Sequence, residues 1–169
     1  MDANSLRALQ APLKARYADD PSSARITLRA TGSVDDQNIS CKVDSGRALA
    51  VAGLHPATGG TGLELCSGDM LLEALVACAG VTLTAVATAL EIPLEAAKIS
   101  AEGDLDFRGT LGVDKTARVG FEAIRLTFEV TSDAPQEKLD SLLRLTERYC
   151  VVLQTLSSSP ELDVMLKRT

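Results

Sequence analysis

One apolar helix dominates the sequence: residues 69–91 read DMLLEALVACAGVTLTAVATALE. Between the two ends of this stretch the only charged side chain is Glu73, so apolar side chains cover every face of the predicted helix. Such a helix is either buried in a protein core or spans a membrane. Because the stretch is rich in alanine and threonine and lacks basic flanks, we predict a core helix and no membrane partner. Asp69 is the expected N-cap, and Pro93 is expected to end the helix.

Before this helix the sequence predicts a first helix and then a strand meander. Leu6, Leu9 and Leu13 recur at three- and four-residue steps, which predicts a helix over residues 5–18, followed by a polar linker. Apolar and polar residues then alternate in three short runs, which predict strands. These runs are 26–30, 39–43 and 48–52. A glycine-rich loop over residues 53–68 leads to the core helix without the Gly-Lys-Ser/Thr of a phosphate-binding Walker loop.

After the core helix two longer alternating runs predict a hairpin. The runs are residues 97–107 and 121–131. Ala134–Pro135 opens a further helix, since proline favours the first helical turn, and Cys150 falls at the end of that helix. A short closing strand is predicted at Leu162, Val164 and Leu166. Runs of strands separated by helices indicate an α+β fold.

The composition narrows the classes of function. The chain has 169 residues, of which 46% are apolar, enough for a domain over residues 25–169 with an N-terminal helical extension over residues 1–24. A net charge of −6 argues against nucleic acid and anionic lipid as partners. The first residues contain no apolar run of signal-peptide length, which predicts a cytoplasmic location. One histidine and no Cys-x-x-Cys pair predict neither a metal nor another cofactor.

The core helix also predicts an oligomer. A helix that is apolar on all faces needs cover on all sides, and one small sheet covers only one of them. We therefore predict a homodimer, in which the interface between the two protomers completes the hydrophobic core.

The cysteines are the candidates for chemistry. In a cytoplasmic protein of this size structural disulfides are rare, so redox or buried thiols are favoured. Cys41 lies on the apolar face of its strand and is interpreted as a small core residue. Cys66 precedes the core helix, where a helix dipole favours thiolates, and is either a reactive surface thiol or a loop residue. Cys78 is either a small buried hydrophobe or a redox thiol, and His55 is interpreted as a loop residue rather than a general base.

Four segments in a fixed order carry a resemblance to a known family. Residues 69–78, DMLLEALVAC, place a cysteine about ten residues into a leucine- and alanine-rich helix that follows a polar N-cap. Residues 148–156, RYCVVLQTL, place a second cysteine at the end of a helix. Gly120–Phe121 opens the strand between them, and residues 55–62, HPATGGTG, form a Gly-Gly loop before the first cysteine helix. In this order the segments resemble the OsmC/Ohr family, over about residues 25–167.

The resemblance implies both a fold and an activity. The OsmC-like fold is an intertwined homodimer in which antiparallel sheets wrap around long central apolar helices that pack back to back. The implied activity is that of a peroxiredoxin-like organic hydroperoxide reductase, a thiol-dependent peroxidase of the oxidative stress response. Cys78 would then attack the peroxide, Cys150 would resolve the sulfenic acid as a disulfide, and a thiol reductant would regenerate the pair. Apolar residues near Cys78 are expected to line a pocket for the organic group: Met70, Leu71, Leu75, Val81 and Leu83.

The sequence departs from the family pattern at three positions. The family's thiolate-activating arginine falls near Val34 and is missing. The family's glutamate falls near Gly68, which leaves Asp69 or Glu73 as substitutes and makes Glu73 a candidate catalytic residue. Val151 replaces the proline that follows the second cysteine. A different cation is therefore expected beside Cys78, and the candidates are Arg47, Arg118 and Arg148.

Two alternative functions stay open at this point. One is a non-catalytic OsmC-like dimer that binds an apolar small molecule at the interface pocket. The other is a structural, stress-associated dimer without an active site. The missing arginine favours these alternatives, and the retained cysteine pair favours the peroxidase.

Overall fold

The chain folds as a mixture of helices and antiparallel strands, which confirms the predicted α+β class. The computed structural model describes residues 2–25, 27, 31–34, 40–44 and 49–168. The helices are α1 (Ala3–Asp19), α2 (Ser67–Ala89), α3 (Phe107–Thr110), α4 (Gln136–Tyr149) and α5 (Val151–Ser157). The strands are β1 (Thr31–Val34), β2 (Ser40–Asp44), β3 (Leu49–Gly53), β4 (Leu65–Cys66), β5 (Ala96–Leu105) and β6 (Phe121–Thr131). Short 3-10 turns occupy Pro21–Ala24 and Pro56–Thr58.

The described strands form two sheets. In the first, the order is β1-β2-β3-β4, and every pairing is antiparallel except that of the two-residue β4 with β3. The second is the predicted hairpin of β5 and β6, in which Ile99 lies opposite Phe128 and Ala101 opposite Leu126. The first predicted strand, 26–30, lies mostly outside the described residues. β1 lies between the first and the second predicted strands.

α2 is the core helix of the domain, as predicted. Its buried side chains recur every four residues and pack against β5, α4 and α5. They are Leu75, Ala79, Leu83 and Ala87. The threonine hydroxyls of this helix donate to carbonyls four residues earlier, which satisfies them without an outside partner. By length and composition α2 could cross a membrane, and 28% of its most apolar 18-residue window is buried in the chain. The rest of that window is an apolar surface that another molecule can cover.

α2 begins three residues earlier than predicted. Cys66, rather than Asp69, is the N-cap, and its side chain makes no capping hydrogen bond. Asp69 lies in the first turn, where a carboxylate interacts favourably with the helix dipole. The prediction of Asp69 as the N-cap is therefore wrong. An acidic residue is stabilising both at the N-cap and in the first turn, so the residue type alone does not decide between these two positions.

α2 also ends before Pro93 is reached. Glu91 has a φ of 54°, in the left-handed region. The N–H of Glu91 donates to the carbonyl of Thr88 at 3.2 Å, and the N–H of Ile92 donates to the carbonyl of Ala87 at 2.9 Å. This pair of bonds is a Schellman motif. Ile92 is buried in the same cluster as Ala87, so the turn is held by packing as well as by hydrogen bonds.

α4 and α5 meet at Cys150, which is the C-cap of the first helix and the N-cap of the second. Its φ and ψ of −72° and 104° are extended, so the chain leaves the helical path for one residue and then resumes it. The sequence placed Cys150 correctly at the end of a helix. α5 was not predicted, because its first residues are β-branched and the segment is too short for a helical period to emerge.

The predicted closing strand is absent. Residues 158–168 contain no helix or strand, and Leu162, Val164 and Leu166 are exposed, the last to 98%. A strand needs a neighbour for its hydrogen bonds. No strand of the described residues pairs with this segment, so the apolar alternation has nothing in the single chain to pack on.

α1 is the predicted N-terminal helix, and it continues through Pro12. It contains no buried residue. Leu6 lies beside Val81 and Thr84 of α2 in a shallow apolar groove, so α1 rests on the outer face of the core helix. The boundary between an extension and a main domain near residue 24 stays a prediction.

Candidate thiol site

The structure brings Cys78 and Cys150 together. Cys78 lies on α2, and Cys150 lies at the joint between α4 and α5. The two cysteines pack in one cluster and each shifts the pKa of the other, and both are free thiols. Cys150 is fully buried, whereas Cys78 is partly exposed. Two cysteines that are far apart in the sequence therefore form one local site.

An apolar cluster surrounds the pair. Leu75 and Ala79, one turn apart on α2, are its other fully buried members. The hairpin contributes Ile124 and Leu126, and α5 contributes Leu153. The four-residue spacing of α2 explains the placement, because it aims one row of side chains at the hairpin and the α4–α5 joint.

The surroundings of Cys78 favour its thiolate. Burial raises the pKa of the Cys78 thiol, but hydrogen bonds outweigh burial and lower the pKa below its ordinary value. In order of effect, these hydrogen bonds come from the backbone N–H of Val152, the Cys150 thiol and the backbone N–H of Val151, with a last and smaller contribution from Thr82, whose hydroxyl donates to the Cys78 carbonyl at 2.8 Å. Donors of this kind stabilise the charged form of an acid more than its neutral form.

The surroundings of Cys150 favour its protonated form. Burial raises the pKa of the Cys150 thiol, the backbone N–H of Leu153 lowers it, and the neighbouring Cys78 raises it again, so that the pKa lies above its ordinary value. Since one pKa is lowered and the other raised, the shared proton stays on Cys150. When the reduced pair ionises, Cys78 therefore loses its proton first, and the Cys78 thiolate accepts a hydrogen bond from the Cys150 thiol.

The Val151→Pro substitution tests the backbone donors. Proline has no N–H, is well tolerated at the first position of a helix, and here replaces a side chain that is 70% exposed. We expect the pKa of Cys78 to rise, so that its thiolate forms only at higher pH. Because a hydrogen bond to a charged group is worth about 1.5–3 kcal/mol, alkylation by iodoacetamide below the wild-type pKa should slow by about tenfold or more.

Val151→Ala is the matched control, because it removes the same side chain and keeps the N–H. Its rate–pH profile should overlay that of the wild type, whereas the midpoint for Val151→Pro should move to higher pH. Identical profiles for the two variants would show that this N–H does not hold the thiolate.

An apolar cavity of about 460 Å³ adjoins the thiol cluster. Leu71 and Leu75 of α2 line it, as predicted, together with β6 and with Leu153 of α5. Leu75 and Leu153 also pack against the cysteines, so the cavity and the thiols share a wall. The other three predicted lining residues do not line it: Leu83 belongs to a second core cluster, Val81 is on the outer face of α2, and Met70 is not part of the cavity wall.

Glu73 lies on a different face of α2 from Cys78. Five residues separate them, which places their side chains about 140° apart around the helix. Glu73 is exposed and lines a separate open cavity with Asp69, Leu72 and Val76. The structure therefore does not bring Glu73 to the cysteine pair, and a catalytic role for Glu73 stays a prediction.

The predicted cationic activators do not account for the shift at Cys78. Arg118 lines the apolar cavity, and the guanidinium of Arg148 lies 5.5 Å above the Tyr149 ring. Arg47 lies outside the described residues. Within the part of the chain that the structure describes, the groups that lower the pKa of Cys78 are N–H, hydroxyl and thiol donors, with no guanidinium among them.

Cys66 and His55 line another cavity, of about 360 Å³, near the start of α2. The His55 ring stacks on Phe107 with centroids 5.0 Å apart, and its Nδ1 accepts a hydrogen bond from the N–H of Ala57 at 3.0 Å. His55 thus has the loop role predicted for it. Among the described residues no three His, Cys, Asp or Glu side chains form a metal-binding group. The side chain of Cys41 lies outside those described.

Sequence reasoning missed the groups that stabilise the thiolate. It looked for a charged side chain, whereas Val151 and Val152 act through their backbone N–H groups. One signal was available. Val151 stands where the family pattern has proline, and unlike proline it carries a backbone N–H next to the second cysteine.

The fold and the paired thiols define the class: a small α+β protein with a dithiol between its core helix and a helix joint. A sequence model of OsmC-like proteins matches residues 60–165. The chain belongs to the OsmC-like family, as the two cysteine motifs predicted. A search of curated proteins finds no significant match.

Solved structures share this fold at low sequence identity. The OsmC-like protein of Mycoplasma pneumoniae is 18% identical, with a TM-score of 0.65 over 79% of this chain and 89% of the other. An organic hydroperoxide resistance protein OsmC of Legionella pneumophila is 18% identical, with a TM-score of 0.62 over 80% and 92%. The organic hydroperoxide resistance protein OhrB of Bacillus subtilis is 20% identical, with a TM-score of 0.52 over 79% and 93%.

Proposed function

We propose that this protein is a thiol-dependent peroxidase that reduces organic hydroperoxides through Cys78 and Cys150. The observation that carries the proposal is the contact between the two thiols, with the pKa of Cys78 lowered and that of Cys150 raised. Membership of the OsmC-like family supports a role in peroxide stress. Relatives with the same fold from Legionella pneumophila and Bacillus subtilis are organic hydroperoxide resistance proteins.

The proposed cycle has three balanced steps. The Cys78 thiolate attacks one oxygen of the hydroperoxide, the O–O bond breaks, and the departing alkoxide takes up a proton to leave as an alcohol. Cys150 then attacks the sulfur of the Cys78 sulfenic acid, which forms a disulfide and releases water. An external thiol reductant finally supplies two electrons and two protons and restores both thiols by exchange.

The apolar cavity supports an organic substrate. A hydroperoxide with a bulky hydrocarbon group gains free energy by burying it, whereas hydrogen peroxide gains none. Leu75 and Leu153 belong both to the cavity wall and to the cysteine cluster. A ligand in this cavity would therefore lie against the same leucines that pack on the cysteines. We expect catalysis to favour cumene hydroperoxide over hydrogen peroxide.

The exposed surface supports a homodimer. The single chain exposes 12768 Å², whereas a folded monomer of 17.8 kDa is expected to expose about 8,000 Å². Exposed apolar side chains lie on the outer face of α2 and on residues 158–168. We propose that a second copy covers these surfaces and that the dimer works in the cytoplasm, where thiol reductants are abundant.

Thiol counting tests the proposed function. The reduced protein is titrated before and after one equivalent of cumene hydroperoxide. We expect two thiols per chain to be lost and to return with dithiothreitol. The Cys66→Ser variant is the control, and it should lose the same two thiols. A thiol count that does not change would refute the peroxidase.

The Cys150→Ser substitution tests the resolving role. Without a second thiol the Cys78 sulfenic acid persists, and further peroxide converts it to sulfinic acid. We expect mass spectrometry to find this +2 oxygen form at Cys78 in Cys150→Ser and only the disulfide in the wild type. A variant that forms no sulfinic acid under excess peroxide would contradict the assignment.

A second function fits the same cavity. The chain lacks the family's activating arginine, and within the described residues no guanidinium contributes to the shift at Cys78. A dimer that binds an apolar small molecule without turnover would show unchanged thiols after peroxide treatment together with a ligand retained through purification. Thiol counting therefore separates the two functions.

A further inference from the structure

Thr146 is unusual among the described residues. Among the residues that the structure describes, Thr146 is the one buried polar residue, and its exposed fraction is 0%. Its hydroxyl Oγ1 is also the buried side-chain polar atom that has no hydrogen-bond partner in the described chain. An unpaired buried hydroxyl destabilises a fold. A valine would fill the same volume without leaving a hydroxyl unpaired. The presence of threonine at this position therefore points to a function rather than to packing.

The position of Thr146 relates it to the cysteine pair. It lies one turn before Cys150 on α4, and the N–H of Cys150 donates to the carbonyl of Thr146 at 2.9 Å. Side chains four residues apart lie on the same face of a helix. Leu142, one turn earlier, packs with Leu83, whereas Cys150 packs with Ala79. Thr146 therefore faces α2 between these two contacts, one helical turn from the resolving thiol.

We infer that Thr146 is a positioning residue for the resolving step, in which its hydroxyl donates a hydrogen bond to the Cys150 sulfur as that sulfur loses its proton. In the reduced protein the Cys150 proton is directed to the Cys78 thiolate. Once Cys78 is a sulfenic acid, the Cys150 sulfur attacks the Cys78 sulfur, the S–O bond breaks, and the hydroxyl group leaves as water with the Cys150 proton. The Thr146 hydroxyl, which no described group holds, is free to turn towards the developing charge.

The place of Thr146 in the reaction rests on the proposed function, and kinetics test it. Thr146→Val removes the hydroxyl and keeps the shape, and Thr146→Ser keeps the hydroxyl. After one equivalent of cumene hydroperoxide, disulfide formation is followed by quenching with dimedone, which traps the sulfenic acid. We expect Thr146→Val to slow this step about tenfold, as for a lost hydrogen bond to a charged group. Attack by Cys78 should stay unchanged, and Thr146→Ser should resemble the wild type.

A second measurement needs no peroxide and separates this inference from the proposed function. The protein is labelled with ¹³C at the cysteine Cβ, and NMR follows each thiol as the pH rises. We expect the Cys150 midpoint to move to higher pH in Thr146→Val and to stay in place in Thr146→Ser. Equal midpoints in all three proteins would overturn the inference, even if Thr146→Val were more resistant to heat. A wild type that forms no disulfide would refute the peroxidase, whereas the titration would still judge Thr146.

Discussion

Cys78→Ser is expected to reduce the turnover of cumene hydroperoxide by a factor on the order of 10³ or more. A serine hydroxyl stays protonated at neutral pH, so the donors that stabilise the Cys78 thiolate have no anion to bind. Cys150 cannot substitute, because it is fully buried and burial keeps its pKa high. The measurement is the rate of hydroperoxide loss with a dithiol reductant present, compared between the variant and the wild type.

Cys66→Ser is the matched control for this loss. Cys66 is also a partly buried cysteine beside α2, but it lines a different cavity. Its replacement should leave the turnover rate within about twofold of the wild type, as is usual for a substitution away from the reacting atoms. The reverse result, with activity lost in Cys66→Ser and kept in Cys78→Ser, would move the nucleophile to the start of α2.

Val81→Asp is expected to dissociate the proposed dimer. Val81 is 73% exposed on the outer, apolar face of α2. If a second copy covers this face, the substitution buries an unpaired charge, and symmetry places two such charges in one interface. Breaking a buried contact in this way costs about 3–5 kcal/mol. The dimer dissociation constant should therefore rise by a factor on the order of 10³, which sedimentation equilibrium measures.

Val113→Asp is the control for that experiment. Val113 is 74% exposed, almost the same as Val81, but it lies between α3 and β6, away from the core helix. The Val113→Asp variant should have the same dimer dissociation constant as the wild type. Two variants with the same dissociation constant, or a wild type that is monomeric, would exclude the outer face of α2 as the interface.

Local patterns carried most of the fold prediction. The apolar run of α2 and the alternation of β5 and β6 are periodic over ten residues or more, so they emerge without knowledge of their neighbours. The wrong predictions concern positions where a single contact decides the local structure. A left-handed Glu91 ends α2 before Pro93, and the alternation at residues 162–166 forms no strand because no described strand pairs with it.

The site was predictable only in part. Neither cysteine motif indicates that Cys78 and Cys150 meet, and the expectation came from their order in a family pattern. The groups that stabilise the thiolate escaped prediction because two of them are backbone N–H groups of Val151 and Val152, which every residue except proline carries. Side-chain chemistry in a sequence cannot indicate which of these donors faces a sulfur.

Cys150 lies at the joint of two helices, and this position links the proposed chemistry to the durability of the fold. A covalent bond from this joint to α2 would close a loop of about 70 residues, which restricts the unfolded chain and is worth about 4 kcal/mol. Each catalytic cycle would therefore pass through a state that resists heat and proteases better than the resting one. Under oxidative stress, when the reductant is scarce, the protein would therefore be more stable against unfolding. It would lose this added stability once the disulfide is reduced.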